Sequence, residues 1–320
     1  MKFSALLLAA ILGGLSAPLS AQDFPKAPIQ LVNPYTAGGS GDIMARTIAS
    51  AMSDLLGKQV IVLNKPGAGT TIGASFVARS EPDGHTLLLS TVTPHVIMPS
   101  LTKVGYDGIR DFTPLAMVVN IPNVLVVRSA LPINSVSDLV AYAKANPGKL
   151  TFGSVGIGSL PHLCGEMLKL AAGIDMLHVP YGGVAPATKD LLTGNIDVGC
   201  LNAPPLLPHI ESGKLRALAV ASLKRADQLP DVLTLDEVGF KGLELLTWWG
   251  ISAPAKTPQP VVDKLATTIL DVMKMPAIKE RITAQGGEVF VMGPKEFAAY
   301  ITTDAERLVR LIKDARIKTE

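Results

Sequence analysis

The chain alternates between short, almost continuous apolar runs and longer segments in which apolar residues recur every three or four positions. The first pattern is typical of strands in a sheet that is covered on both faces, and the second is typical of amphipathic helices. Their alternation predicts an α/β fold in which mixed or parallel sheets are flanked by helices. The predicted strands are 29–35, 59–63, 85–91, 150–153, 176–179, 196–200, 215–220 and 288–291, and the predicted helices are 42–56, 72–79, 136–145, 160–172, 185–193, 258–275, 276–285 and a last one from 294.

Two further apolar segments, 115–127 and 247–254, separate these units into groups. The first is longer than one strand requires, and Pro122 near its middle would interrupt the hydrogen bonds of a central strand. We therefore interpret both segments as crossings between two domains that enclose a cleft for a small ligand. The predicted domains are 22–121 together with 251–320, and 122–250.

The first 21 residues have the features of a secretory signal peptide, with Lys2, an apolar run over 3–15 and small residues up to Ala21. The residue directly after the expected cleavage site is not a cysteine, and no later apolar run has the length of a membrane span, so we expect a periplasmic protein without a lipid anchor. The formal net charge of +2 at pH 7 argues against nucleic acid or an acidic membrane surface as partner.

Cys164 and Cys200 are the two cysteines of the sequence. An exported protein could join them in a disulfide, but Cys164 falls in the middle of a predicted helix and Cys200 at the end of a predicted strand. From these positions we expect two buried free thiols rather than a disulfide.

A glycine-rich turn, 36–41, connects the first strand to the first helix. Such a turn leaves backbone N–H groups unpaired at a helix N-terminus, where they and the helix dipole attract an anion. A tight strand-to-helix turn would explain the same glycines without any ligand. The second domain repeats the device, because glycines and small or hydroxyl residues precede the helices that begin near 160 and 185.

Ligands of open α/β sheets bind at the carboxyl ends of the strands, so the candidate site residues are those that follow strands. The backbone N–H groups and hydroxyl groups at these positions are neutral hydrogen-bond donors, which suit a carboxylate ligand. Trp248 and Trp249 are predicted to pack at the crossing rather than stack on a ligand. The candidate ligand-binding residues are Tyr35, Ala37, Gly38, Gly39, Ser40, Thr70, Thr91, Ser154, Gly158, Ser159, Tyr181 and Asn202.

The common catalytic signatures are missing from the sequence: there is no G-x-S-x-G, G-x-x-x-x-G-K-[ST] or H-E-x-x-H motif, and no two histidines have metal-ligand spacing. We therefore expect neither catalysis, nor a metal, nor a cofactor. A secreted serine hydrolase remains the alternative, with Ser154 or Ser159 activated by His162, and Glu166 one helical turn further on.

Several separated motifs resemble the Bug-type periplasmic solute receptors of tripartite tricarboxylate transporters. The resemblance covers almost the whole mature chain. The motifs that carry it are Pro34-Tyr35-Thr36-Ala37-Gly38-Gly39 with Asp42, Pro66-Gly67-Ala68-Gly69, Pro82-Asp83-Gly84-His85-Thr86-Leu87, Phe152-Gly153-Ser154-Val155-Gly156-Ile157-Gly158-Ser159 with His162, and Tyr181-Gly182-Gly183-Val184-Ala185-Pro186-Ala187 with Asp190.

The resemblance implies a type II periplasmic-binding-protein fold that closes on a small organic carboxylate, with ordered waters between the ligand and the first loop. It also implies delivery of the ligand to a permease with a large and a small subunit. We expect the receptor itself to be a monomer. A sensor subunit that signals to a membrane kinase would share this fold and differ in its partner. Two residues depart from the family pattern, since Gly41 replaces a usual Thr or Ser and Gly182 replaces a usual Lys.

Overall fold

The computed structural model describes residues 24–285 and 287–314, so the expected signal peptide at 1–21 lies outside the described residues. The strands are β1 (Ile29–Asn33), β2 (Val60–Asn64), β3 (Thr86–Thr91), β4 (Phe112–Arg128), β5 (Thr151–Ser154), β6 (Leu177–Pro180), β7 (Val198–Asn202), β8 (Leu215–Val220), β9 (Leu246–Pro254) and β10 (Glu288–Met292). The helices are α1 (Ser40–Leu56), α2 (Thr71–Ala78), α3 (Met98–Leu101), α4 (Val136–Ala145), α5 (Leu160–Ala172), α6 (Val184–Thr193), α7 (Leu207–Glu211), α8 (Gln259–Lys274), α9 (Pro276–Ala284) and α10 (Pro294–Asp314). No helix within the described ranges is long and apolar enough to cross a membrane.

The long strand β4 joins two sheets. Its first part pairs antiparallel with β9 and β10, and its second part pairs antiparallel with β7 and β8. The first sheet continues through β3, β1 and β2, and the second through β5 and β6, with parallel pairing of β1 to β2 and β3 and of β5 to β6 and β7. Each sheet is therefore mixed, and the parallel strands end at loops that the two sheets present to the cleft.

Pro122 lies where β4 changes partners. It is the last β4 residue paired with β9, opposite Leu246, and the pairing with β7 begins at Asn123. Proline cannot donate a backbone hydrogen bond, but its carbonyl accepts one from the Ala203 N–H at 3.0 Å. The ladder is thus interrupted at the crossing itself. The return crossing differs from our expectation, because β9 pairs within the first sheet and the chain crosses just before it, near Leu245.

Helix α1 buries only part of the apolar stripe that its three-and-four spacing predicts, which consists of Ile43, Met44, Thr47, Ile48, Ala51 and Leu55. Met44, Ile48 and Ala51 are buried as predicted and Met52 is buried with them, whereas Ile43 and Leu55 are 40% and 47% exposed. The sequence offers two overlapping apolar stripes at helical spacing, and periodicity alone does not decide between them. The position of the sheet relative to the helix makes that choice.

The expectation of two free thiols was wrong, because Cys164 and Cys200 form a disulfide with their Cα atoms 6.2 Å apart. Helix α5 lies against β7, and Cys164 is on the buried face of the helix that meets the strand at Cys200. A mid-helix and a strand-end position are compatible with a disulfide once the helix covers that strand. The disulfide fastens α5, and with it the turn before α5, to the second sheet.

The segment between β3 and β4 contains helical structure for which the sequence pattern predicts no element. A π-helical turn at Thr93–Ile97 leads directly into the short helix α3. Tyr106, further along the same connection, donates from its hydroxyl to the Pro94 carbonyl at 2.8 Å. This segment places Met98 between the two domains.

Candidate functional site

The loop after β1 begins with Tyr35, which lies beside the end of β3. Its hydroxyl is 2.9 Å from Thr91 Oγ1, so the structure brings these two candidate residues together. Its ring stacks on Trp249 of β9, with 6.1 Å between the ring centroids and 7° between the ring planes. Burial raises the pKa of Tyr35 above its ordinary value, which keeps the phenol neutral. The base of this loop therefore offers hydroxyl groups without charge.

Helix α1 begins without a side-chain cap. Gly39 is the N-cap residue, no side chain accepts from the first turn there, and the Ile43 N–H donates to the Gly39 carbonyl at 3.1 Å. The N–H groups of Ser40 and Gly41 precede that bond, and such groups have no intrahelical acceptor. The helix start thus leaves backbone donors without an intrahelical partner at the positive end of the helix dipole.

The turn that leads into α1 is exposed at Ala37, Gly38 and Gly39. Gly38 adopts a φ of +79°, a conformation that strains residues with a Cβ, and its N–H donates to Asp42 Oδ2 at 3.0 Å. Gly39 has an ordinary φ of −80°. The backbone requirement for glycine therefore falls on Gly38.

Asp42, which follows the turn, is a buried carboxylate with three hydrogen-bond partners. Beside the Gly38 N–H, it accepts from Arg46 Nε and from Asn64 Nδ2, each at 3.0 Å. Burial raises the pKa of Asp42, but these hydrogen bonds outweigh burial and hold the pKa below its usual value. The carboxylate is therefore ionised at neutral pH, and Arg46 offsets its negative charge next to the helix start.

Gly41 has a structural explanation in this chain. A Cβ at this position would lie 2.8 Å from the end of the Trp249 ring and 3.1 Å from Asn33 Oδ1. The indole ring occupies the space that a hydroxyl side chain needs, so a Thr or Ser would require the ring to move. Trp249 thus packs as predicted, but it packs against the first loop and its stacked tyrosine.

The turn after β5 is held by two buried serines. The Oγ atoms of Ser154 and Ser159 both donate to the Gly156 carbonyl, at 3.1 Å and 2.6 Å. Ser159 is also the N-cap of α5, because its Oγ accepts from the His162 N–H at 3.3 Å. These two candidate residues therefore bind the turn itself.

Two stacked imidazole rings form hydrogen bonds with this turn. The rings of His162 and His178 have centroids 4.1 Å apart and planes inclined by 20°. His162 Nδ1 accepts from the Gly158 N–H at 3.2 Å, and His178 Nε2 lies 2.7 Å from Ser154 Oγ. Burial lowers the pKa of each histidine to about 4, so both rings are neutral near pH 7. The hydroxyl of Ser154 and the N–H of Gly158 are thereby engaged within the protein.

The structure does not assemble the catalytic group of the hydrolase alternative. His162 Nε2 faces Glu166 Oε1 at 4.0 Å, as the spacing predicted, but the other ring nitrogen accepts a backbone N–H rather than a serine hydroxyl. Ser154 contacts an imidazole, that of His178, yet Ser154 is 0% exposed and its Oγ is closed to a substrate. Within residues 24–285 and 287–314, no three His, Cys, Asp or Glu side chains are grouped to hold a metal ion.

Tyr181 and Asn202 form hydrogen bonds within the protein. The Tyr181 hydroxyl donates to Asp190 Oδ2 at 2.7 Å, and burial together with this bond raises the pKa of Tyr181 to about 12. Asn202 Nδ2 donates to Asn123 Oδ1 at 3.2 Å and to Thr247 Oγ1 at 3.1 Å. Asn202 thus belongs to the polar network where β7, β4 and the start of β9 meet, next to the crossing.

Met98 connects the glycine loops of the two domains. A Cβ on Gly69 would lie 2.7 Å from Met98 Sδ, and a Cβ on Gly158 would lie 2.9 Å from the same sulfur. Gly69 precedes the buried candidate Thr70, and both glycines have a positive φ. Two candidate loops that are far apart in sequence therefore meet on one thioether.

Met98 and His178 were not among the site residues predicted from the sequence. Met98 lies in an apolar stretch with two prolines, Pro94 and Pro99, which gave no clear period. His178 is in a short strand, where its distance to Ser154 depends on the pairing of β6 with β5. The alternation of side chains along β6 predicts the face of the sheet on which His178 lies. It does not predict which strand is paired with β6.

A family model described as "Tripartite tricarboxylate transporter family receptor" matches residues 44–317 of the chain. Protein BugT of Bordetella pertussis is 35% identical over 310 residues, which cover 95% of this chain and 94% of that protein. The match therefore extends over both sheets and the helices around them.

Two solved structures show the same fold. The periplasmic binding protein BugD is 39% identical with a TM-score of 0.84, and the alignment covers 93% of this chain and 100% of that one. Rpa4515 of R. palustris, solved with adipate, is 33% identical with a TM-score of 0.86, covering 92% and 99%. These similarities confirm the two-domain periplasmic-binding-protein fold and the expectation of a binding protein rather than an enzyme. The chain belongs to the family of tripartite tricarboxylate transporter receptors.

Proposed function

We propose that this receptor captures a small organic carboxylate in the cleft and delivers it to a membrane transporter with a large and a small permease subunit. In this proposal the segment 1–21 is the export signal, and a monomer closes its two domains around the ligand. The predicted boundary at 250/251 moves to 245/246, because β9 pairs within the first sheet, which gives domains of 22–121 with 246–320 and 122–245. Support for the ligand class comes from Rpa4515, a relative that was solved with adipate.

The observation that carries the proposal is the uncapped start of α1. Its N–H donors and positive dipole end follow an exposed turn at Ala37, Gly38 and Gly39, with Tyr35 and its neutral hydroxyl at the base. A carboxylate placed there would accept direct hydrogen bonds from the backbone. The proposed ligand contacts in this domain are Tyr35, Ala37, Gly38, Gly39, Ser40, Thr70 and Thr91.

The second domain contributes differently in this proposal. Its donors at Ser154, Gly158, Ser159 and Tyr181 are already engaged within the protein. Ordered water bridges the remaining distance to the ligand, since a bridging water is nearly as favourable in enthalpy as a direct hydrogen bond. The proposed contacts here are Gly158, Ser159, Tyr181 and Asn202. Ser154, also a candidate from the sequence, is 0% exposed and its hydroxyl bonds to Gly156 and His178, so it shapes the turn and does not touch the ligand.

The test exploits the first residue of α1. Ser40→Pro removes the N–H of Ser40 yet fits the helix, because proline is favoured at the first helical position and Gly39 has the extended backbone that precedes proline. Ser40→Ala is the matched control, since it removes the hydroxyl and keeps the N–H. Wild-type protein is first screened by thermal shift against mono- and dicarboxylates, where a ligand at 100 times its Kd adds about 2.7 kcal/mol.

With the ligand so identified, calorimetry on both variants decides the proposal. Hydrogen bonds to a charged group contribute about 1.5–3 kcal/mol, so Ser40→Pro should weaken binding at least ten-fold and Ser40→Ala much less. Equal affinities for wild type and Ser40→Pro would contradict the proposed site. The absence of any carboxylate-dependent stabilisation in the screen would contradict the proposed ligand class.

A further inference from the structure

An open groove of about 860 Å³ lies on the first domain between α2 and the chain that follows α3. Its walls include two exposed apolar side chains, Ile72 at 52% and Phe76 at 39%. Thr71 and Ser75, each one residue before one of these apolar residues on the same helix, also line the groove. The groove is therefore large enough and apolar enough to take side chains of another molecule.

The charged side chains that line the groove are all positive. Arg79 and Lys103 line it, and none of its lining residues is acidic. The ammonium group of Lys65 adds a third cation, 4.3 Å from the centre of the Phe76 ring. A smaller adjoining groove shares Lys103 and contributes Asp107, but Arg110 binds that carboxylate at 2.7 Å.

The groove is also in contact with the second domain, through Met98. This residue lines the groove, and its sulfur lies close to Gly158 of the turn after β5. Leu101 of α3 flanks the same glycine, at 3.1 Å from the position of a Cβ. Separation of the two domains would remove one support of the groove wall, so the shape of the groove depends on whether the cleft is closed.

From these observations we infer that the groove is the docking surface for the transporter, and that it receives an acidic loop with apolar side chains from the membrane subunits. Carboxylates of that loop meet Arg79 and Lys103, and its apolar side chains cover Ile72 and Phe76. The dependence on closure lets the membrane subunits distinguish the ligand-bound receptor. This inference rests on the proposed function.

Two other kinds of molecule match only some of the features of the groove. A free carboxylate ligand would use the cations but leave the apolar walls exposed to water. An anionic lipid headgroup would also use the cations. The weak overall charge of the chain, +2 at pH 7, favours a local protein contact over general attraction to an anionic membrane.

The experiment compares binding of the receptor to two kinds of vesicle. One kind holds the large and small membrane subunits in a mixture of phosphatidylethanolamine and phosphatidylglycerol, and the other has the same lipids without protein. Co-sedimentation is measured for wild type and for the double variant Arg79→Glu with Lys103→Glu. The matched control is Lys144→Glu with Lys149→Glu, two exposed second-domain lysines whose reversal changes the net charge equally.

We expect wild type and the control to bind the subunit-containing vesicles, and the groove variant to bind at least ten-fold more weakly. Its ligand affinity by calorimetry should be unchanged, a measurement that reports on the proposed function separately. Equal binding by the groove variant and wild type would overturn the inference. Equal binding of wild type to protein-free vesicles would overturn it in favour of lipid, and suppression of vesicle binding by excess carboxylate would overturn it in favour of the free ligand.

Discussion

The loops after β1 and after β5 occupy equivalent places in the two domains, but they use their hydrogen bonds differently. The first loop leaves the α1 N-terminus without a side-chain cap and exposes Gly38 and Gly39. The second loop caps its helix with Ser159, and its other polar groups form hydrogen bonds with two histidines and with the Gly156 carbonyl group.

This difference indicates a division of labour between the domains. An uncapped helix start retains donors that a ligand can satisfy on binding, at the cost of some stability without ligand. A capped and internally bonded turn has a fixed shape before any ligand arrives, which lowers the entropy cost of binding. The first domain then supplies attraction for an anion, and the second supplies a rigid surface that closes over it.

The largest expected effect on the second loop comes from removal of the disulfide that holds α5 against the second sheet. Cys164 and Cys200 are 36 positions apart, and a disulfide that closes a loop of this length stabilises a protein by about 4 kcal/mol in the chain-entropy model. Cys164→Ala with Cys200→Ala should therefore lower the free energy of unfolding by about that amount, as measured by urea denaturation.

Reduction of the wild-type protein with dithiothreitol serves as the control and should shift its denaturation midpoint in the same direction. Proteolysis should then cut the second domain before the first. A wild-type protein with two titratable thiols under native oxidising conditions would contradict the disulfide.

Acid should weaken the second loop through its imidazoles. The pKa of His162 is about 4 in the folded protein against an ordinary value of 6.5, so the unfolded chain binds more protons between these two pH values. Stability is therefore complete above pH 6.5 and is lost as the pH falls toward 4. His162 is buried, and its contribution over this window is about 3 kcal/mol, at 1.36 kcal/mol per pKa unit.

The charges that face the two rings come from α5, where Glu166 favours the protonated form of His178 and Lys169 disfavours it. Urea denaturation at pH 7.5 and pH 5 should show a smaller loss for His162→Gln than for wild type. His95, buried near α3 with a pKa also about 4, adds a background that both proteins share. An identical pH dependence in the two proteins would show that the imidazole stack is not the acid-sensitive element.

Much of the fold follows from patterns that are local in the sequence. The apolar period and the capping residues placed α4, α5 and β8 at the observed bounds. Periodicity alone did not decide which stripe of α1 is buried, because that depends on the sheet. It also gave no information on the disulfide, since the distance between a helix position and a strand position depends on how the two elements pack.

The candidate site shows the same limit. Tyr35 and Thr91 were chosen as candidates because each stands at the end of a predicted strand. The two residues lie side by side in the structure, because parallel strands end at one edge of a sheet. Position after a strand did not reveal that Asn202 turns toward the crossing, or that a methionine from an unassigned helix lies between Gly69 and Gly158. Those facts arise from contacts between elements that are distant in sequence.

A smaller effect separates two adjacent glycines of the first loop. Gly38→Ala strains a φ of +79° and should cost about 1–2 kcal/mol of stability, although no atom lies within 4 Å of the new Cβ. Gly39→Ala is the matched control, because its φ is −80° and the nearest atom to its Cβ is the Thr36 carbonyl oxygen at 3.7 Å. Thermal denaturation should shift for Gly38→Ala and stay within error for Gly39→Ala, whereas equal shifts would mean that the turn geometry is not set at Gly38.

The smallest expected effect concerns how the two serines of the second loop share one acceptor. Ser159→Ala removes a helix cap and should cost about 1 kcal/mol, and Ser154→Ala leaves His178 Nε2 without its partner at a similar cost. Because both hydroxyls donate to the Gly156 carbonyl, loss of one leaves that acceptor satisfied by the other.

The double variant removes both donors at once and should therefore be more destabilised than the sum of the single variants, by about 0.5 kcal/mol or more. A double-mutant cycle by urea denaturation measures this coupling. Ligand affinity, which in our proposal depends on the first loop, should change less than stability does. Strict additivity would show that the two serines act independently, and a larger loss of affinity than of stability would place a direct ligand contact on the second loop.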